Sequence, residues 1–248
     1  MLHFRLSQVR VAGHTSIGAS STVHAFATVG ATPQDLKYAG EASRLVLGER
    51  CRVFEYAHLS GGTAAGGGFT SLGDDCLVMS HTHVGHDCRL GRGVVLASYA
   101  ALAGHVRVGD GARVSGSTSV AQRVSIGRGA FVGGASALVD DLIPYGLAAG
   151  NRATLAGLNL VGLRRARVPP AELRALLRGY RYLFALPDEG CYPPLPLPPR
   201  PTLRERAAEV AAPEHPRLQE LADWLQGRGD GDGGGGGRAA SMRVCVRS

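Results

Sequence analysis

The 248-residue sequence predicts a parallel β-helix built from six-residue repeats, followed by a small α-helical domain. Three observations carry that expectation. Aliphatic residues recur every six positions, a small residue commonly follows each one, and glycine reaches 36 residues while aromatics make up only 6%. Abundant glycine with few large rings suits many tight turns around a narrow interior.

The aliphatic series opens with Val11, Ile17, Val23 and Val29 and resumes at Leu47, Val53 and Leu59. It then runs unbroken through Leu72, Val78, Val84, Leu90, Leu96, Leu102, Val108, Val114, Val120, Ile126, Val132 and Leu138, twelve consecutive matches. A period of six misses the helical repeat of about 3.6 but is a multiple of the strand alternation, so the same side chain points inward on each short strand. Ordinary sheets do not hold one period this long. Three repeats per turn would give coils of about 18 residues, each hydrogen-bonded to the next. Gly18, Gly30, Gly48, Gly73, Gly85, Gly91, Ala97, Ala103, Gly109, Gly127 and Gly133 follow the aliphatic positions, as a chain turning sharply after each strand requires.

The series breaks at residues 31–44 and 61–68, both rich in turn formers or polar groups. Loops that leave a rigid scaffold are where binding groups usually sit. The repeats fade after Asp140, and residues 1–150 are read as the β-helix domain. A connector and helical domain is expected over 151–226. Within it, residues 171–186 place Leu173, Leu176, Leu177, Tyr180 and Phe184 on one helical face. Residues 191–201 form a proline-dense connector, Thr202 with Glu205 makes a capping box, and Leu218, Leu221 and Leu225 mark another helix. Residues 227–248, with their glycine run, are read as a disordered tail.

Five cysteines without a C-x-x-C pair indicate neither a disulfide framework nor a thiolate zinc site, so a reducing compartment is expected. No apolar run is long enough to span a bilayer, and the first ten residues lack a secretory signal. The net charge of +7 is concentrated in residues 152–206, where ten arginines face four acidic residues without an aromatic series for stacking bases. An acidic protein or a phosphorylated ligand is the expected partner, rather than nucleic acid.

Four of the nine histidines (His81, His83, His86 and His105) fall within 25 residues. His86 and His105 are separated by nearly one coil, which would set them on neighbouring coils along one edge. A histidine titrating near neutrality suits removal of a hydroxyl proton.

The segment Gln34-Asp35-Leu36-Lys37-Tyr38-Ala39-Gly40-Glu41 resembles a loop of the UDP-N-acetylglucosamine O-acyltransferase family, which opens lipid A synthesis. The resemblance continues through His83-Val84-Gly85-His86-Asp87-Cys88, Leu102-Ala103-Gly104-His105-Val106 and Gly150-Asn151-Arg152-Ala153-Thr154. It ends with Gly157-Leu158-Asn159 and Gly162-Leu163-Arg164-Arg165, spanning roughly residues 9–186. It implies left-handed coiling, against the usual crossover preference. It also implies transfer of a 3-hydroxyacyl group from acyl carrier protein to the 3-hydroxyl of UDP-N-acetylglucosamine. No metal and no cofactor is required, and the assembly would be a homotrimer in the cytoplasm, or in an organelle for a plant or algal source.

By the same resemblance His86 is the general base, Asp87 orients it, and the Gly104 N–H supplies the oxyanion hole. His83 and His105 would contact sugar, phosphate or acyl chain. Asp35, Lys37 and Gln122 would surround the sugar and acyl donor, while Asn159 and Arg165 would reach the nucleotide and Gly134 would set acyl-chain length. Three positions depart from the family pattern: Ala121 and Arg152 each replace a histidine, and Ser60-Gly61 replaces a His-Arg pair. The chain also starts two or three coils later than the family does.

Other readings remain open at this point. His81 and His86 have the five-residue spacing of a hexapeptide carbonic anhydrase that binds zinc between subunits. The departures suit a degenerate, non-catalytic scaffold. The N-acylating relative of the same pathway lacks the Gln34-to-Glu41 loop.

Overall fold

The structure, a computed structural model, describes residues 3–4, 8–184, 202–211 and 213–227. The chain divides into two compact units, one running to Asn159 and the other beginning at Leu160. The expected proline-dense connector at 191–201 lies outside the described residues, as does the tail beyond Gly227.

Among the described residues, the first unit is a coil of short strands forming three sheets of nine, seven and six strands. All strand pairs are parallel except the last. Leu77 pairs with Val95, Val95 with Arg113 and Arg113 with Phe131, a constant step of one coil per three repeats. Of the aliphatic series, every member from Val23 to Leu138 is buried. Val11 is 46% exposed because its strand, Arg10–Val11, is terminal in its sheet and is covered from one side only.

A second inward column lies two residues before each aliphatic and is filled mostly by small or slender side chains, Leu45 before Leu47 being the bulky exception. Ala27, Cys51, Ala57, Cys76, Thr82, Cys88, Val94, Ala100, Val106, Ala112, Thr118, Val124, Ala130 and Ser136 fill it, and all are buried. Three of the cysteines are therefore core-filling thiols. Burial pushes the Cys88 thiol up to about 12, which keeps it protonated and unreactive.

At the regular corners from Ile17 to Val53 and from Leu72 to Val132, the third residue after the aliphatic takes a left-handed backbone conformation and turns the chain onto the next sheet. Asp87 (φ 62°), His105 (φ 61°) and Arg123 (φ 67°) occupy this position between the second and third sheets. Asp and His tolerate that conformation better than bulky or branched residues do. At the corner between the first and second sheets the same position holds Phe26, Tyr56, His81 and Tyr99. Their rings stack at 5.0, 4.8 and 4.7 Å between centroids on an exposed edge.

Both breaks in the repeat are excursions from the corner between the second and third sheets, since they join strand Thr28–Ala31 to Arg44–Leu47 and strand His58–Ser60 to Phe69–Leu72. An antiparallel pair, Gly146–Ala149 with Thr154–Leu158, ends the first sheet and belongs to the β-helix unit. The expected boundary at 150/151 thus falls inside this pair.

The second unit contains α1 (Leu160–Arg165), α2 (Pro170–Leu183), α3 (Leu203–Glu209) and α4 (Pro216–Gln226). Leu176, Tyr180 and Leu183 of α2 are buried, as are Leu218, Leu221 and Leu225 of α4. A Cβ on Gly179 would lie 2.3 Å from Leu218 Cδ1, so glycine there lets α2 and α4 approach closely. The capping box at the start of α3 is present, with Thr202 Oγ1 accepting from Glu205 N and Glu205 accepting from Thr202 N. Among the described residues no helix is long and apolar enough to cross a membrane.

Candidate active site

Corner geometry places the chemistry. Two residues after each aliphatic, at the corner between the second and third sheets, stand His86, Gly104 and Gln122 in one column. The next position on each coil supplies Asp87, His105 and Arg123. Neighbouring coils are joined directly here, His105 N donating to His86 O at 2.8 Å and Arg123 N to Gly104 O at 3.0 Å. The histidines one coil apart in sequence do meet, their rings edge to face with centroids 5.1 Å apart.

His86 is 7% exposed and Asp87 4%. His86 Nδ1 lies 2.8 Å from Asp87 Oδ2. The carboxylate has no lone proton to give, so Nδ1 carries the hydrogen and Nε2 keeps its lone pair as a base. Asp87 is itself held by the 61–68 loop: Thr63 N donates to Oδ1 at 2.8 Å and Thr63 Oγ1 donates to Oδ2 at 2.7 Å. Its backbone N–H donates to the buried Thr70 hydroxyl at 2.8 Å. Thr63 and Thr70 were not singled out from the sequence.

Two glycines are required by contact. A Cβ on Gly66 would lie 1.9 Å from Asp87 Cγ, so the loop closes over the carboxylate only because that position lacks a side chain. A Cβ on Gly104 would lie 2.6 Å from both Cε1 and Nε2 of His86. The Gly104 backbone therefore lies beside the basic nitrogen, and its N–H donates to no group among the described residues. A lone pair and an unused N–H side by side are the parts needed to deprotonate a hydroxyl and hold an oxyanion.

A cavity of about 310 Å³ opens onto these atoms, lined by Gln34, Ser60, His83, Gly85, His86, Ala103, Gly104 and Gln122. Ser60 is fully buried, and its hydroxyl finds no partner among the described residues. The 31–44 excursion reaches the cavity through Gln34. Lys37 N donates to Asp35 Oδ1 at 3.0 Å, and Glu41 ties this excursion to the 61–68 loop by accepting from Ala64 N at 3.2 Å. Burial lowers the basicity of His105, against the pull of Asp87 and, more weakly, Asp35. Burial also lowers His83, with smaller contributions from His58 and His86.

The remaining expected residues stand elsewhere. Gly134 is exposed at the corner between the first and second sheets, away from the cavity lining. Asn159 is buried at the end of the β-helix unit, with Nδ2 donating to Gly129 O at 3.0 Å. Arg165 is exposed and ends α1 in the second unit.

His81 stacks between Tyr56 and Tyr99, so the zinc reading based on His81 and His86 finds no common site. The donor atoms of His86, Asp87 and His105 do lie within 4.8 Å of one another. Asp87 Oδ2 already accepts two hydrogen bonds and Oδ1 a third, and His86 Nδ1 is directed to Asp87, so these atoms are engaged with one another.

A coil of six-residue repeats with a buried His86–Asp87 pair beside the Gly104 backbone at one corner has the architecture of a hexapeptide transferase. Residues 69–104 match the model of the bacterial transferase hexapeptide (six repeats), and residues 141–231 match domain 2 of UDP-N-acetylglucosamine O-acyltransferase. The acyl-(acyl-carrier-protein)–UDP-N-acetylglucosamine O-acyltransferase of Caulobacter vibrioides is 49% identical over 223 residues, covering 89% of this chain and 80% of that protein. The Agrobacterium fabrum enzyme of the same name is 38% identical, covering 89% and 78%. The solved Arabidopsis UDP-N-acetylglucosamine acyltransferase superposes with a TM-score of 0.80 at 29% identity, covering 96% of this chain and 79% of that one. The chain belongs to the UDP-N-acetylglucosamine O-acyltransferase family, and its coil is the left-handed parallel β-helix.

Proposed function

We propose that the chain transfers a 3-hydroxyacyl group from acyl carrier protein to the 3-hydroxyl of UDP-N-acetylglucosamine, the first step of lipid A synthesis. The observation that carries the mechanism is the His86–Asp87–Thr63 relay facing the Gly104 N–H. His86 Nε2 takes the proton of the sugar hydroxyl as its oxygen attacks the thioester carbonyl. The developing oxyanion accepts from Gly104 N–H, and the Asp87 carboxylate stabilises the imidazolium. Collapse of the intermediate breaks the carbon–sulfur bond, and His86 returns the proton to the departing thiolate of the carrier.

The three departures from the family pattern leave this relay untouched. Asp35, Lys37, His83, His105 and Gln122 would hold the sugar and the acyl donor, and Arg165 the nucleotide. Gly134 stands on another corner of the coil, so an acyl tail reaching it calls for a groove completed by a neighbouring copy. That supports a homotrimer, in which three β-helices surround a threefold axis. The basic second unit, with Arg174 and Arg178 exposed on α2, suits the acidic carrier protein, and cytoplasmic residence would bring the chain to it. The reaction is tested by incubating the protein with UDP-N-acetylglucosamine and an acyl carrier protein thioester, then locating the new ester on the sugar by proton NMR; acylation at the 3-oxygen supports the assignment, and an amide or no ester opposes it.

A further inference from the structure

His58 and His83 face outward on adjacent strands of the second sheet, in direct register. Their Nδ1 atoms are 3.2 Å apart, with ring planes 14° from parallel and centroids 5.1 Å apart. His83 lines the cavity beside His86. Two neutral imidazoles at that separation need one hydrogen between them: two N–H groups would clash and two lone pairs would repel. The tautomers of the two rings are therefore coupled.

We propose that His58 is a positioning residue, whose Nδ1–H donates to His83 Nδ1 and so fixes His83 as the Nε2–H tautomer, a hydrogen-bond donor toward the sugar-diphosphate ligand. Partial burial keeps both rings neutral. A diphosphate oxygen can only accept, so a His83 nitrogen locked as a donor matches it, whereas a lone pair would repel it. The ligand named here rests on the acyl-transfer reading, but the tautomer coupling does not.

The test compares wild type with His58→Asn, whose amide keeps an N–H near the position of Nδ1, and His58→Leu, which keeps bulk without a donor. Long-range proton–nitrogen correlation spectra of histidine-labelled, unliganded protein report the His83 tautomer. Wild type and His58→Asn should show a single Nε2–H form, and His58→Leu a mixture. In steady-state kinetics His58→Leu should raise KM for UDP-N-acetylglucosamine about tenfold with kcat within about threefold, and His58→Asn should restore KM to within about twofold. An unchanged His83 spectrum in His58→Leu, or a KM equal to wild type, would overturn the proposal. Wild type that shows the single tautomer but turns over no substrate would instead overturn the acyl-transfer reading. If His58→Leu does not fold, failure of His58→Asn to hold the wild-type tautomer overturns it equally.

Discussion

The imidazole Nδ1 of His86 lies 2.8 Å from the carboxylate of Asp87, the next residue along the chain. Sequence neighbours rarely face each other, and they do so here because Asp87 takes the left-handed turn conformation, φ 62°, while the 61–68 loop holds its carboxylate from the other side. The turn that closes the coil thus also aims the base.

Gly66→Ala should damage the relay without touching any atom of the base. The new methyl must displace Asp87 or the loop, at a stability cost of about 1–3 kcal/mol. Misplacing Asp87 by even part of an ångström should lower kcat about a hundredfold. Thr63→Val, which removes one hydroxyl donor to Oδ2, should have a smaller effect in the same direction. Wild-type kcat in Gly66→Ala would show that the loop does not hold the carboxylate in place.

Stability should fall on mild acidification. His58, His83 and His105 are all lowered in the folded protein, chiefly by burial. The unfolded chain then binds protons more readily, so their contribution is fully present above about 6.5 and is lost as pH drops through the lower folded values. The carboxylates held low by hydrogen bonds, Glu41 and Asp75, act in the same direction but only below about 4.5. Melting temperature should be flat from about pH 8 to 7 and decline between about 6.5 and 5; a rise over that range would contradict the burial of these rings.

Arg174 and Arg178 stand one helical turn apart on the exposed side of α2. Replacing both with Glu should raise KM for the acyl carrier protein about tenfold or more and leave KM for UDP-N-acetylglucosamine unchanged. The wild-type KM for the carrier should itself rise with salt. Equal effects on both substrates, or no salt dependence, would remove this patch as the docking face.

A side chain at Gly134 meets only ordinary contacts, the nearest being Gly116 O at 3.5 Å from an added Cβ. Gly134→Met should therefore fold normally and project into the groove expected to hold the acyl tail. Product chain length, compared across a set of carrier-protein thioesters, should shift several carbons shorter. An unchanged preference would place the tail elsewhere.

The period exposed the coil because every turn must put an aliphatic side chain inside, and the one-coil offset between His86 and His105 exposed the corner at which their rings meet. Contacts that cross an excursion were hidden. Thr63 lies 24 residues from Asp87 and reaches it only through the folded loop, whereas Thr70, 17 residues away, stands on the neighbouring strand Phe69–Leu72. His58 pairs with His83 across 25 residues, since the 61–68 insertion lengthens that coil beyond the usual step and masks the pairing from a periodic reading. The antiparallel pair after Gly146 follows no repeat, so the six-residue period carries no signal for where the β-helix unit ends. The inward column of small residues explains Cys51, Cys76 and Cys88, whose spacing carries no meaning apart from the coil.

The most direct test of the central claim is His86→Ala, assayed by mass spectrometry of UDP-N-acetylglucosamine after incubation with 3-hydroxyacyl carrier protein, alongside a melting curve for each protein. Wild type should yield the singly acylated nucleotide sugar, and the variant should melt like wild type while product formation falls about a hundred- to ten-thousand-fold. A well-folded His86→Ala protein that forms product at near the wild-type rate would contradict the mechanism.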